Sequence, residues 1–308
     1  MQNQMKKDLL TINDLSKDEI HSLIDRSLQI KKEGRQGRRS LTGHTLGLIF
    51  DKASTRTRVS FEVAMFRLGG QTLFLHRDET QMSRDESIED TMRVLSRYLD
   101  AIAVRTYSQE AIEVMARWSR IPIINALTDL YHPCQVLSDL VTIKERRGNL
   151  DQMKVAWIGD GNNVAHSWIS AAHVVGFEMR LACPPKYSPL PEVLEGIGPN
   201  IRLVEDPREA ATGADVINTD VWTSMGREDE AVQRISDFQG FQVNQALVNL
   251  CKPDVLVMHC LPAHRGEEIT DDVLDGPRSV VFDQAENKLY LHQALLEELI
   301  LEGAQREF

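Results

Sequence analysis

At 308 residues the chain is long enough for two domains of ~150 residues each, and 42% hydrophobic with 26% charged residues excludes wholesale disorder. Asp and Glu number 46 against 35 Lys and Arg, a formal charge of −11, which argues against nucleic acid or an anionic membrane as the main partner. The four cysteines (Cys134, Cys183, Cys251, Cys260) include no C-x-x-C pair and so suggest neither a zinc ribbon nor a disulfide framework. With a polar start over 1–10 and no run of ~18 apolar residues, the expectation is a soluble cytoplasmic protein.

In chain order, 11–31 opens with Asn13, Asp14 and Ser16, then spaces Ile20, Leu23, Ile24 and Leu28 for a capped amphipathic helix. The apolar run 46–50 predicts a buried strand, followed by a helix over 59–68 stopped at Gly69-Gly70 and a strand over 72–75. Helices over 87–98 and 110–119 alternate with strands over 101–104 and 121–124. After a polar, Gly-containing break at 144–152, strands are expected at 155–158, 179–182, 216–219, 255–258 and 280–282. Helices are expected over 163–175 and 292–302. Such alternation predicts an α/β fold of two domains, each a parallel sheet flanked by helices, with the active site in the interdomain cleft. The boundary falls between 1–147 and 148–291, and the terminal segment 292–308 is expected to pack back on the first domain.

Chemistry concentrates at strand ends. Asp51-Lys52-Ala53-Ser54-Thr55-Arg56-Thr57-Arg58 links a strand to a helix, where free N–H groups, three hydroxyls and two guanidinium forks make an anion cradle without P-loop glycines. A plain helix cap with solvated arginines is the alternative. Arg105 sits directly after the 101–104 strand. His132-Pro133-Cys134-Gln135 precedes a helix from Val136, and His132 and Gln135 are placed to aim donors at one carbonyl unless His132 is merely structural. Gly159-Asp160-Gly161-Asn162-Asn163 imitates a dinucleotide turn, but Val164 replaces the third glycine and Cys183-Pro184 replaces the ribose-binding acid. Asp220 precedes a Ser224-Met225-Gly226 loop suited to motion. Cys260, in His259-Cys260-Leu261-Pro262, reads as a packed or polar-contact residue more readily than as a nucleophile. Zinc at His259, Cys260 and His264 is rejected on spacing, so no metal is expected.

Together these motifs, with Phe282-Asp283-Gln284-Ala285-Glu286-Asn287, resemble the aspartate/ornithine carbamoyltransferase family in the family's order from about residue 8 to 300. The Ser-Met-Gly loop and His-Cys-Leu-Pro point to its ornithine-specific branch. The resemblance implies carbamoyl transfer from carbamoyl phosphate to the side-chain amine of L-ornithine, giving L-citrulline and phosphate, in arginine biosynthesis. It implies Ser54, Thr55, Arg56 and Thr57 at the phosphate, and Arg105 bridging phosphate and carbonyl. His132, Pro133, Cys134 and Gln135, with Cys260 and Leu261, would lie at the carbamoyl end. Gln81 would reach a neighbouring subunit's site, and Asn163, Asp220, Ser224 and Met225 would bind ornithine. Arg105, His132, Asp220 and Cys260 form the implied catalytic set. A homotrimer with no organic cofactor follows by the same resemblance. Lys288 stands where the family has Arg, keeping the charge but losing the fork, and Ser83 to Ser87 lacks the family's Gly and Pro. Putrescine and acylated ornithine remain alternative acceptors, and a nicotinamide-dependent dehydrogenase is the rival on fold grounds.

Overall fold

The computed structural model describes residues 7–34, 39–76, 86–223 and 228–305. They divide into two compact units, 1–141 with 287–308, and 142–286. The first unit contains α1 (Lys17–Glu33), β1 (Thr45–Phe50), α2 (Thr55–Arg67), β2 (Gln71–His76), α3 (Ile88–Leu95), β3 (Ala101–Arg105), α4 (Gln109–Trp118) and β4 (Ile123–Leu127). Helix α5 (Pro133–Arg147) starts in it and ends in the second. The second unit contains β5 (Lys154–Ile158), α6 (Asn163–Val175), β6 (Glu178–Ala182), α7 (Pro191–Leu194), β7 (Ile201–Val204), α8 (Pro207–Ala211) and β8 (Val216–Thr219). It continues with α9 (Ala231–Asp237), α10 (Gln245–Val248), β9 (Leu256–His259) and α11 (Asp271–Leu274), and α12 (Val281–Gln305) returns the chain to the first unit.

Both sheets are parallel, as helical crossovers require. Their orders are β2-β1-β3-β4 and β7-β6-β5-β8-β9. Each order reverses once, between β1 and β3 and between β5 and β8. At such a reversal the loops leave the strand ends in opposite directions and open a crevice for a ligand. Central strands β1 and β3 are buried throughout, whereas edge strand β2 is partly exposed along its length. Ile49, Ile102, Val104, Ile112, Met115 and Ile123 pack together in the first unit. Ile158, Ile217, Val257, Val243, Leu247 and Ile269 do so in the second.

Several boundaries differ from those the sequence predicts. Ser16 and Glu19 form a capping box that starts α1 at Lys17, leaving Ile12–Asp14 as a separate 3-10 turn. Helix α2 begins at Thr55, four residues before the expected 59, so the Ser-Thr-Arg-Thr-Arg motif is the helix's first turn rather than its approach. The expected strand over 280–282 is the start of α12. Ser279 forms an isolated bridge to Val257 of β9 and the chain then turns into α12, because a short apolar run does not by itself distinguish strand from helix.

Helix α12 is tied down in the first unit by polar contacts. Glu297, 8% exposed, accepts from Arg26 Nε at 3.0 Å, Arg26 Nη2 at 2.5 Å and Ser40 Oγ at 2.6 Å. His292 stacks on Phe61 with centroids 3.6 Å apart, and its Nδ1 lies 2.5 Å from Ser60 Oγ, which joins α12 to α2. Glu297→Ala should lower unfolding stability by about 1–3 kcal/mol, since Arg26 and Ser40 lose their shared acceptor. Urea denaturation checks this, and a change within about 0.5 kcal/mol, as at a solvated surface site, would contradict it.

Candidate active site

The first constellation stands at the reversal of the first sheet. Phe50 and Arg105 are register partners at the ends of β1 and β3, and Asp51 N–H donates to the Arg105 carbonyl at 2.8 Å. Thr106 Oγ1 donates to Asp51 Oδ2 at 2.6 Å, fixing the turn that leads into α2. Ser54 occupies the N-cap of α2, yet its hydroxyl makes no capping bond, and the first turn carries no acidic side chain. The amide ends of that turn are therefore not neutralised from within the helix, which suits an anion. Thr57 is buried, while Thr55 and Arg56 are exposed. Arg58 does not belong to this cradle: its guanidinium lies 3.8 Å over the Phe74 ring and Nε donates to Glu62 at 2.8 Å.

His132 and Pro133 follow β4, with Pro133 at the first position of α5, where a missing N–H costs nothing. His132, 5% exposed, has its imidazole held well below 6.5 by burial, then by the charges of Lys288, Arg105 and His292. A neutral ring carries one N–H, so His132 can donate a single hydrogen bond without adding a third cation. Burial pushes the Cys134 thiol up to about 12, and its Sγ lies 3.4 Å from the Asn125 carbonyl, so Cys134 packs rather than reacts. Lys288 Nζ donates to Gln135 Oε1, and Gln135 Nε2 donates to Asp139 Oδ1 at 2.7 Å. One N–H of the Gln135 amide is thus taken up by Asp139. Asp139 gave no signal in the sequence beyond its i+4 spacing from Gln135.

The second constellation stands at the reversal of the second sheet. Asn162 caps α6, accepting from Val164 N–H at 3.0 Å and Ala165 N–H at 3.2 Å, and its Nδ2 donates to Asp220 Oδ2 at 2.8 Å. Asp220 Oδ1 accepts from Cys260 Sγ and from its neighbour Val221 N–H, at 2.9 and 2.8 Å. Asn163, Asp220, Cys260 and Leu261 are therefore gathered from the ends of β5, β8 and β9. His259, fully buried, accepts from Leu261 N–H at Nδ1 and meets Glu268 Oε1 at Nε2, both at 2.9 Å. Both ring nitrogens are committed, so His259 offers no lone pair to a cation beside Asp220 and Cys260. Arg234, which the sequence did not single out, donates to Asp160 Oδ2 at 3.0 Å and to the Trp222 carbonyl at 2.7 Å, holding the turns after β5 and β8. Gln81, Ser224 and Met225 lie outside the described residues.

The glycine turn is filled by protein. A Cβ on Gly161 would stand 2.3 Å from Pro189 N and 2.6 Å from the Ser188 carbonyl carbon, and Gly161 N–H donates to the Tyr187 carbonyl. A glycine approached this closely by its own chain leaves no room there for a pyrophosphate, which removes the dehydrogenase reading.

Two switch-point constellations, one cationic and one centred on a carboxylate, stand one in each unit, an arrangement that suits a transferase of two substrates. The chain belongs to the aspartate/ornithine carbamoyltransferase family: the family's carbamoyl-P binding domain matches residues 7–145 and its Asp/Orn binding domain matches 151–299. Ornithine carbamoyltransferase of Desulfotalea psychrophila is 51% identical over 303 residues, covering 96% of this chain and 100% of that protein. The structure of ornithine carbamoyltransferase from Pyrococcus furiosus matches with a TM-score of 0.92 at 46% identity, over 97% of this chain and 99% of that one. Anabolic ornithine carbamoyltransferase from Campylobacter jejuni matches with a TM-score of 0.90 at 41% identity, over 96% and 99%.

His292, like His132, is held well below 6.5, by burial and then by the Lys288 charge. In the unfolded chain it takes up a proton near its ordinary value, so its stabilising contribution is complete above about pH 6.5. That contribution is lost as pH falls from there toward the folded value, at up to ~1.4 kcal/mol per pH unit. His292→Gln should therefore flatten the decline of the urea midpoint between pH 7 and 5. An unchanged slope would contradict the burial of a neutral ring.

Proposed function

We propose that this protein is an ornithine carbamoyltransferase, moving the carbamoyl group of carbamoyl phosphate to the δ-amine of L-ornithine and releasing L-citrulline and phosphate. The observation that carries the acceptor assignment is the 51% identity to an ornithine carbamoyltransferase along its whole length. In this reading Ser54, Thr55, Arg56, Thr57 and Arg105 hold the phosphate, with Lys288 as a point contact and Gln81 completing the site from a neighbouring subunit. His132, Pro133, Cys134 and Gln135 line the carbamoyl end with the backbone of Cys260 and Leu261. Asn163, Asp220, Ser224 and Met225 take the amino acid.

The chemistry is addition and elimination. The neutral amine attacks the carbonyl carbon, a C–N bond forms, the C–O bond to phosphate breaks, and the proton shed by nitrogen leaves on the phosphate. Negative charge builds on the carbonyl oxygen, where Arg105 and the single N–H of His132 stabilise it. Free ornithine arrives as an ammonium with a side-chain pKa near ~10.4. Asp220, fixed by Asn162 and Cys260, holds the α-ammonium at ornithine's amino acid end, and exclusion of water around the side-chain amine favours loss of the side-chain proton. Binding of both substrates at once supplies positioning, so no covalent enzyme intermediate is invoked.

The setting we propose is arginine biosynthesis in the cytoplasm; among the described residues no helix is long and apolar enough to cross a membrane. A homotrimer is supported by the exposed apolar side chains of the first unit, Phe66, Leu73, Val94 and Tyr98, which subunit contact would cover. The direct test is citrulline formation from carbamoyl phosphate with ornithine, putrescine and aspartate in parallel. Ornithine alone should give rapid product, and faster turnover of putrescine would overturn the acceptor assignment. Arg56→Ala should raise the KM for carbamoyl phosphate at least about tenfold, while an unchanged KM would remove Arg56 from the cradle. His132→Ala should cut kcat by roughly 10²–10³, the usual loss for one oxyanion donor, with partial recovery in His132→Asn.

A further inference from the structure

The polar chain Lys288–Gln135–Asp139 contains an asymmetry that bears on which acyl phosphate the site accepts. Gln135 and Asp139 are one turn apart on α5, and Asp139 is fully buried. Asp139 Oδ1 accepts from Gln135 Nε2 at 2.7 Å, and Lys288 Nζ donates to Gln135 Oε1. An ammonium has only donors and a carboxylate has only acceptors. If the amide were flipped, its N–H2 would meet the ammonium and its oxygen would meet the carboxylate, two repulsive contacts in a buried place. Gln135 is therefore held in one orientation, with its oxygen on the side of the cationic group and its nitrogen turned into the helix.

We infer that Asp139 is a positioning residue for acyl-group selection: by binding the Gln135 amide nitrogen it obliges Gln135 to present an acceptor, which fits the N–H2 of a carbamoyl group and has nothing to offer a methyl group of the same size. The inference rests on the proposed function and deepens it, because it names what distinguishes carbamoyl phosphate from acetyl phosphate at this site. Lys288 is part of the device. It holds the Gln135 oxygen in the free protein, and with three N–H donors on a flexible stem it can turn to a bound phosphate when the carbamoyl N–H2 takes its place. A residue that only supported α5 would weaken all ligands of the site alike, whereas one that sets the polarity of Gln135 changes the choice between ligands.

Two phosphonates separate these cases: phosphonoacetamide, which carries the N–H2, and acetonylphosphonate, which carries a methyl group in its place. Each is measured as a competitor of carbamoyl phosphate in the citrulline assay. The wild-type protein should favour the amide roughly tenfold or more, since a ligand without the N–H2 cannot take the place of Lys288 at the Gln135 oxygen and so cannot release that ammonium to the phosphate. In Asp139→Asn the neighbour can accept or donate, so only the Lys288 ammonium still opposes a flip of the Gln135 amide, and the preference should fall below about threefold. Inhibition by inorganic phosphate should change less than about twofold in the same variant. Gln135→Met, similar in volume but without the amide, is a second variant expected to bring the preference near unity. Equal weakening of both phosphonates in Asp139→Asn, with the preference intact, would overturn the inference. So would a wild-type protein that does not prefer the amide, or an undiminished preference in Gln135→Met. If the wild-type protein made no citrulline at all, the proposed function would fall and this inference with it.

Discussion

Two cations and an imidazole share one buried place in the first unit, and their coexistence sets the terms for everything around them. Arg105, His132 and Lys288 are each less than a tenth exposed. Like charges in a poorly solvated place repel, and the group that yields is the one with the lowest affinity for its proton. His132 gives up its charge, and Lys288 is tied through Gln135 to the carboxylate of Asp139. What results is a site that is cationic, stiff and furnished with a neutral N–H donor. Each property follows from burying those three groups together, and each is useful where an acyl phosphate gives up phosphate as an anion.

The second unit solves the opposite problem with the same architecture. Asp220 is a buried carboxylate with three donors arranged around it from Asn162, Cys260 and its neighbour Val221. Those donors come from the ends of β5, β8 and β9, so the sheet itself holds the carboxylate in place. Behind Cys260, the buried pair His259 and Glu268 fixes the backbone of Leu261. An acidic centre of this kind favours an ammonium-bearing amino acid, as the cationic centre of the first unit favours a phosphate.

Much of this was legible in the sequence, for identifiable reasons. Strands β1 and β5 are buried parallel strands built around apolar runs, and such runs announce themselves. Helix α6 ends where predicted because Asn162 caps it and Gly176 terminates it in the left-handed region. The candidate residues at strand ends stand out because the alternation of elements reveals where strands end. What escaped was side-chain partnership across distance. Nothing in a linear pattern tells that Arg58 turns to Phe74 while Arg56 stays exposed, or that Gln135 spends a donor on Asp139. Arg234 and His292 escaped for the same reason: each lies in an ordinary helix, and its role arises from what the fold carries to it. Lys288 was read as a departure from the family pattern, and only its bond to Gln135 gives that departure a physical meaning.

The central claim is that His132 is uncharged in the resting protein because burial and two neighbouring cations oppose its protonation. Nitrogen-15 NMR of the histidine side chains, with the His132 signals assigned by comparison with His132→Asn, measures this directly across pH. The ring should keep the chemical shifts of a neutral imidazole well below the usual histidine midpoint near ~6.5. A midpoint at or above that ordinary value would contradict the account.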